Sequence, residues 1–307
     1  MFLSICVPTY NRRNTLERNL KSIESQKFSD LEVLVIDDGS TDNTEEFVKN
    51  YLKDSKMDIR FFKKENGGKH TALNLGISEA RGKFFMILDS DDWLVKDSLT
   101  KIYEYCKAIE DDDKYCGIAG KSMLENKKIL GSKFPEEPFI SSYIDFHFFA
   151  PAKYGSFGDC CECNKTSILK AYRFPEDKTT KFVPEAFIFD QIGTKYKLLC
   201  TNDIYMYKEY MKNGISSTTN YKSKNIVGFL YHYISRIENI LPYIEQNSLK
   251  LKVIAWWRYW DAVKQDVKRE GPRIKKVTFL GYLVYVIRPI IDKVYKYKYP
   301  DMVIKGR

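Results

Sequence analysis

Three carboxylates crowd into four positions at Asp89, Ser90, Asp91 and Asp92, directly after the largely apolar run 83–88. A run of that kind is the pattern of a strand buried on both faces. Carboxylates gathered at its carboxyl end repel one another unless a cation or solvent relieves them. Hard divalent cations favour such oxygen ligands, and Mg²⁺ takes one or two carboxylates together with substrate phosphates. Asp89 and Asp91 are therefore a candidate metal seat. The competing reading is that Asp91 and Asp92 only cap a helix starting near Trp93.

Two further clusters change that balance. Pro8, Thr9, Tyr10 and Asn11 close one apolar run, and the segment from Asp37 and Asp38 to Asp42 closes another. In an open parallel sheet, ligands sit outside the strands' carboxyl ends, so all three clusters would face one crevice. Tyr10 offers a ring to stack on a base, Asp37 and Asp38 offer acceptors for base or ribose donors, and Asp89 with Asp91 offers the metal seat. As a set they suit a nucleoside diphosphate, which leaves only Asp92 as a capping residue. Gly67 and Gly68, after a third run, would let backbone approach a ligand closely, or would form a plain turn.

The elements that must position these residues follow an α/β pattern. Strands are expected at 3–7, 32–36, 59–63, 83–88 and 115–119, alternating with amphipathic helices, the layout of a doubly wound sheet covered by helices. Asn14 with Glu17, and Asp42 with Glu45, match capping boxes at two helix starts, and Leu16, Leu20 and Ile23 share one helical face. Gly, Pro and aromatic residues are dense over 131–158. That stretch is expected to be irregular or short-stranded, over the sheet's carboxyl edge. From Tyr221 onward long helical patterns dominate.

Composition narrows the function classes. With 44% hydrophobic and 30% charged residues in 307, the chain is an ordinary globular protein and neither disordered nor collagen-like. The formal charge of +9 is concentrated in residues 261–307, which hold 12 Lys and Arg against 5 Asp and Glu. A nucleic-acid binder would carry its basic residues beside its motif, so the tail reads better as a contact for an anionic membrane surface. The apolar stretch 277–291 is shorter than a bilayer crossing and contains Arg288, so no transmembrane helix is expected. Seven cysteines and no leader at Met1 favour a reducing cytoplasm. Cys160 and Cys163, with Cys161 between, lack a second pair at zinc spacing and are read as free thiols. His70, His147 and His232 are scattered and are assigned to no metal.

Over residues 3–94 the clusters 8–11, 37–41, 66–68, 74–76 and 89–92 stand in the order and spacing of family 2 glycosyltransferases, and the chain resembles a member of that family with the GT-A fold. The resemblance implies a doubly wound mixed sheet flanked by helices, with a helical C-terminal extension. It implies that Tyr10 and one of Asp37 or Asp38 bind the nucleoside, usually uridine, that Asp89 lies near ribose and metal, and that Asp91 ligates Mn²⁺ or Mg²⁺. The donor site extends by the same resemblance to Pro8, Thr9, Asn11, Gly67, Gly68, Lys69, Asn74 and Ser90. It also implies inversion at the anomeric carbon, which needs a carboxylate base for the acceptor hydroxyl. Glu185, just before the amphipathic run 186–198, is the expected base, with Asp190 as runner-up; the plain alternative for Glu185 is an acid at a helix start.

The expected organisation is a catalytic domain over 1–215, with a nucleotide-sugar half to 120 and an acceptor half beyond, followed by helices over 216–307. Trp256, Trp257 and Trp260 lack the Gln-x-x-Arg-Trp arrangement of processive synthases, so they read as packing and addition of one sugar is expected. The aromatic and basic tail 279–299 suits an interfacial helix or one docked on the catalytic domain through its Lys stems. The expected setting is bacterial surface polysaccharide assembly in the cytoplasm, at the inner membrane face, on a saccharide or lipid-linked saccharide acceptor. A sugar-nucleotide nucleotidyltransferase would instead show a Gly-rich phosphate loop where Pro8–Asn11 stands, and a silent donor-binding module would bind without turnover.

Overall fold

The computed structural model describes residues 1–209, 221–244 and 248–298; parts of the expected C-terminal helices, at 216–220, 245–247 and 299–307, lie outside them. Contacts divide the chain into two units, one of Met1–Glu176 with Lys195–Glu209, the other of Asp177–Thr194 with Tyr210–Arg307.

In the first unit, β1 (Leu3–Thr9), α1 (Arg13–Glu24), β2 (Leu31–Asp37), α2 (Thr44–Asp54), β3 (Asp58–Lys63), α3 (Lys69–Glu79) and β4 (Phe84–Ile87) alternate as the sequence pattern demands. Every residue of β1 and β2 is buried, as strands covered on both faces require. Glu32 is tolerated there because Ser4 Oγ donates to Oε1 at 2.7 Å, Arg81 N donates to Oε1 at 2.7 Å and Arg60 Nη1 donates to Oε2 at 3.2 Å. β5 (Trp93–Leu94), α4 (Ser98–Ala108), β6 (Tyr115–Met123), β7 (Phe139–Ser141), α5 (Ala150–Lys153), β8 (Cys161–Lys165), α6 (Thr166–Leu169) and β9 (Lys197–Tyr207) complete the unit.

The nine strands form one mixed sheet in the order β3-β2-β1-β4-β8-β6-β9-β5, with β7 also on β9. β1, β2, β3 and β4 are mutually parallel and β8 joins antiparallel. β6 runs past the expected 119 to Met123 because Lys121, fully buried, donates to the carbonyls of Ser132 (2.7 Å) and Phe157 (2.6 Å) beside the Phe134 ring. The aromatic segment 131–158, expected to be irregular or short-stranded, holds the short strand β7 but also a helical stretch, a π-helical turn Asp145–Phe149 running into α5, and Phe134, Phe139, Phe146 and Phe157 pack on one another.

Two helix starts depart from the capping boxes. α1 begins at Arg13, so Asn14 is already inside its first turn. Asp42 serves both helices instead, accepting from Arg13 N at 3.2 Å and Thr44 N at 3.1 Å. Glu45 turns away to Lys49 and Lys63, each at 2.6 Å.

The second unit holds α7 (Ala186–Gly193), α8 (Tyr221–Lys224), α9 (Ile226–Ser235), α10 (Leu249–Gln265) and α11 (Phe279–Lys298). Its core is built from Phe229, Leu230, Tyr233, Trp256, Tyr259 and Val284. Trp256 is buried, Trp257 Nε1 donates to Asp292 at 2.7 Å and Trp260 Nε1 donates to the Gly281 carbonyl at 2.8 Å. No described helix is long and apolar enough to cross a membrane.

Candidate functional site

Parallel register brings the three clusters of the first unit to one edge. Thr9 faces Asp37 across the β1–β2 ladder, and Cys6 faces Ile87 across β1–β4. The ladders continue past the strand ends, Asp38 N donating to Thr9 O and Leu88 N to Cys6 O, both at 2.9 Å. Residues 8–11, 37–42 and 89–92 are therefore neighbours by construction.

Side chains then brace the edge. Asn11, in the left-handed region at φ +51°, accepts at Oδ1 from Thr41 N (2.8 Å), and its own N–H donates to Ser40 Oγ (2.9 Å). Asp38 is buried and draws in the third loop: it accepts from Gly67 N (2.9 Å), Gly68 N (2.7 Å), Asn66 Nδ2 (3.2 Å) and Lys64 Nζ (2.7 Å). Gly68 has φ +94°, where a side chain is strained, so glycine is needed at this turn into α3. Asn74 is also structural in its contacts, holding Phe174 N and O at 3.0 Å each and Glu176 at 2.8 Å.

Not every group at the edge is used up. Asp37 Oδ1 accepts from Ser40 N at 2.9 Å, but Asp37 Oδ2 and Thr9 Oγ1 are buried with no hydrogen-bond partner. Tyr10 is 46% exposed, an aromatic ring bare to solvent beside them. Pro8 lies in the β1–β2 ladder opposite Ile36, and Ser90 is buried.

The acidic cluster carries a graded electrostatic load. Burial opposes ionisation of Asp89, but Lys69, 2.5 Å away, and Lys208 outweigh it and hold its carboxyl below the usual range. Asp91 is shifted the other way, by burial and then by the Asp89 charge, with Arg12 only 4.0 Å off as partial relief. Asp92 is pushed up to about 7 by burial, with Asp89 and Asp91 adding to the shift and Lys208 opposing it. Asp92 caps no helix: residues 93–94 form β5, α4 starts only at Ser98, and Asp92 accepts from Glu209 N at 3.1 Å and pairs with Lys208 at 3.3 Å. The expected helix at Trp93 is displaced because Trp93 stacks on Tyr207 and takes the Arg18 guanidinium on its ring at 3.7 Å.

Among the described residues, no group of three or more His, Cys, Asp or Glu side chains could hold a metal ion on its own. The donor set that is present, two carboxylates at a buried and mutually repelling turn, fits a hard cation whose remaining ligands come from a diphosphate.

Several residues that hold this site were not anticipated. Asn19 Nδ2 donates to the carbonyls of Asp89 and Asp92 at 2.9 Å each, and Arg18 Nη2 donates to the Asp91 carbonyl at 2.9 Å while pairing with Glu209. Asn19 was visible as the one polar side chain on the buried stripe of α1. Lys64 and Arg12 had only their adjacency to 66–68 and Asn11 to mark them. All seven cysteines are buried and free; burial pushes the Cys160 thiol up to about 12, and Cys161 and Cys163 belong to the core.

In the second unit, Glu185 stands half-buried at the start of α7. The preceding segment is fixed by α9: a Cβ on Gly228 would meet the Phe182 carbonyl at 1.8 Å, and Thr180 Oγ1 donates to that same oxygen at 2.9 Å. Asp190 is buried, with Arg236 Nε donating to its Oδ2 at 2.8 Å.

The model of the family described as Glycosyl transferase family 2 matches residues 4–172. A Campylobacter jejuni GalNAc(5)-diNAcBac-PP-undecaprenol beta-1,3-glucosyltransferase is 34% identical over 178 residues, covering 57% of this chain and 55% of the relative, so the match spans just over half of that protein. Among solved structures, Staphylococcus aureus TarS 1–349 in complex with UDP covers all of this chain and 92% of its own, with TM-score 0.56 and 18% identity. Mannosyltransferase PcManGT from Pyrobaculum calidifontis, with GDP-Man and Mn²⁺, covers 97% of this chain and 87% of its own, with TM-score 0.56 and 17% identity. Both share this chain's fold, a mixed sheet of the GT-A type flanked by helices.

Proposed function

The chain belongs to glycosyl transferase family 2, and from that premise we propose that it moves one hexose or amino-hexose from a UDP-sugar to a saccharide carried on a lipid, with inversion at the anomeric carbon. The observation that carries the donor side is the braced edge itself. Tyr10 is exposed for stacking on uracil, while Asp37 Oδ2 and Thr9 Oγ1 are buried acceptor and donor groups lacking partners, an arrangement that a bound nucleoside would satisfy. The UDP bound to TarS supports the choice of nucleotide, and the undecaprenol-linked substrate in the Campylobacter relative's name supports a lipid-linked acceptor; surface polysaccharide assembly at the inner membrane face is the setting we propose for it.

In this reading Asp89 and Asp91 would hold Mn²⁺ or Mg²⁺, whose chemistry when bound is to offset charge on the leaving diphosphate. Lys69 keeps Asp89 ionised for that purpose. The acceptor oxygen forms the new bond to the anomeric carbon as the bond to the diphosphate breaks, with the electron pair leaving on UDP. Glu185 takes the acceptor's hydroxyl proton. Asp190, already engaged by Arg236, is the weaker candidate, since a carboxylate held in a buried ion pair is a poor proton acceptor.

The test is UDP release from a panel of UDP-sugars with Mn²⁺ and a polyprenyl-diphosphate-linked saccharide. Metal-dependent release with at least one donor supports the proposal. UDP binding without release under any acceptor would make the chain a donor-binding module instead.

A further inference from the structure

The helix α11 buries one side and leaves the opposite side bare. Toward α10 it presents Gly281, where a Cβ would meet the Trp256 ring at 2.8 Å, the fully buried Val284, and Arg288, which donates to the Trp260 carbonyl at 3.3 Å. Half a turn around the helix, at the three- and four-residue steps that keep one face, stand Phe279, Leu283, Val286 and Ile290 with Tyr282 beside them. They are 42 to 83% exposed. A helix docked on a globular core ordinarily turns polar residues outward. Here the outward stripe is aromatic and branched aliphatic, and a contiguous apolar patch of this kind marks an interaction surface.

Charge identifies the occupant. Residues 1–260 hold 38 Lys and Arg against 36 Asp and Glu, close to neutral, whereas residues 275–298 hold six Lys and Arg against Asp292 alone. Lys275, Lys276 and Lys293 are exposed around the stripe. A second copy of the chain would bring the same positive segment against itself in either orientation, and a nucleic acid would offer nothing apolar to five hydrophobic side chains. A bilayer bearing acidic headgroups satisfies both features, the stripe entering the acyl boundary and the lysines meeting the phosphates.

We propose that the outer face of α11 docks the protein on an anionic bilayer, the helix lying in the headgroup plane. The inference deepens the lipid-linked acceptor reading and rests on it for its purpose, since docking confines the enzyme to the surface where such an acceptor lies.

The experiment is flotation of the full chain with phosphatidylcholine vesicles with and without phosphatidylglycerol. Binding to the phosphatidylglycerol vesicles alone, weakening as salt rises, is expected. The Phe279→Asn/Ile290→Asn variant should bind about tenfold more weakly. A Lys275→Glu/Lys276→Glu variant, whose side chains lie outside the helix, should lose the preference for acidic lipid and keeps the test open if the first variant misfolds. Unchanged binding in both variants, or no binding by the wild type, overturns the proposal. So does a concentration-dependent dimer that the apolar variant abolishes. UDP binding on the same samples separates the two ideas: UDP binding without vesicle binding sinks the docking surface alone, and vesicle binding without UDP binding sinks the donor assignment alone.

Discussion

The donor edge and the outer face of α11 break the burial rule in opposite directions. At the edge, Thr9, Asp37, Asp38, Ser90 and Asp92 are polar or ionisable and buried; on α11, Phe279, Tyr282, Val286 and Ile290 are apolar and exposed. Burying polar groups is unfavourable unless they are paired, and exposing a contiguous apolar stripe forgoes hydrophobic stabilisation. The difference lies in what surrounds the misplaced groups. The edge is cross-braced by Asn11, Asn19, Lys64 and Lys69, as a site for a small ligand of fixed shape must be, whereas the α11 stripe lies open among the described residues and suits a partner with no fixed shape.

The largest effect that would sharpen this contrast lies in the chemistry the edge cannot do alone. Glu185→Gln should reduce transfer by about 10²–10⁴-fold with UDP affinity unchanged. Steady-state rates beside UDP titrations would show this, and full activity would move the base elsewhere. Next, Gly68→Ala should destabilise the first unit by about 1–2 kcal/mol, because φ +94° is strained for any side chain and the Gly68 N–H anchors Asp38. A denaturant midpoint equal to wild type would mean that the loop is not rigidly braced.

A smaller, pH-dependent effect belongs to Asp92. Its folded value near 7 lies above the ordinary 3.8, so the folded state binds the extra proton between those values. The stability this contributes is present below about pH 4 and is lost as pH rises through 7. Asp92→Asn, which cannot titrate, should therefore gain on the wild type by about 1 kcal/mol between pH 6 and pH 7. Parallel melting curves across that range would refute the cause assigned. Smallest of all, Phe279→Asn should leave the folding stability within about 0.5 kcal/mol of wild type, as expected for a side chain that is 83% exposed. A loss several times larger would show that the stripe is core and not surface.

Much of the donor edge was legible in the sequence because it depends on short parallel strands whose apolar runs and terminal polar clusters are local signals. The five strands expected up to residue 119 correspond to β1, β2, β3, β4 and β6. Strands β8 and β9 escaped because their pairing is long-range and because Cys161–Lys165 alternates small and polar residues that read as a loop. Trp93 and Asp92 were misread as a helix start because the competing interactions, with Tyr207, Arg18 and Lys208, come from segments far along the chain. On α11 the aromatic and basic composition was plain, but which face docks is decided by Gly281 against Trp256, a contact that periodicity alone does not contain.

Whether Asp89 and Asp91 make the braced edge a metal-dependent nucleotide site can be read from calorimetric titration of UDP with and without Mn²⁺, on the wild type and on Asp91→Asn. Mn²⁺ should tighten UDP binding in the wild type, and the variant should lose at least about tenfold of that affinity, about 1.4 kcal/mol, while keeping the weak metal-free binding that Tyr10 and Asp37 support. Equal, metal-independent affinity in both proteins would contradict that role.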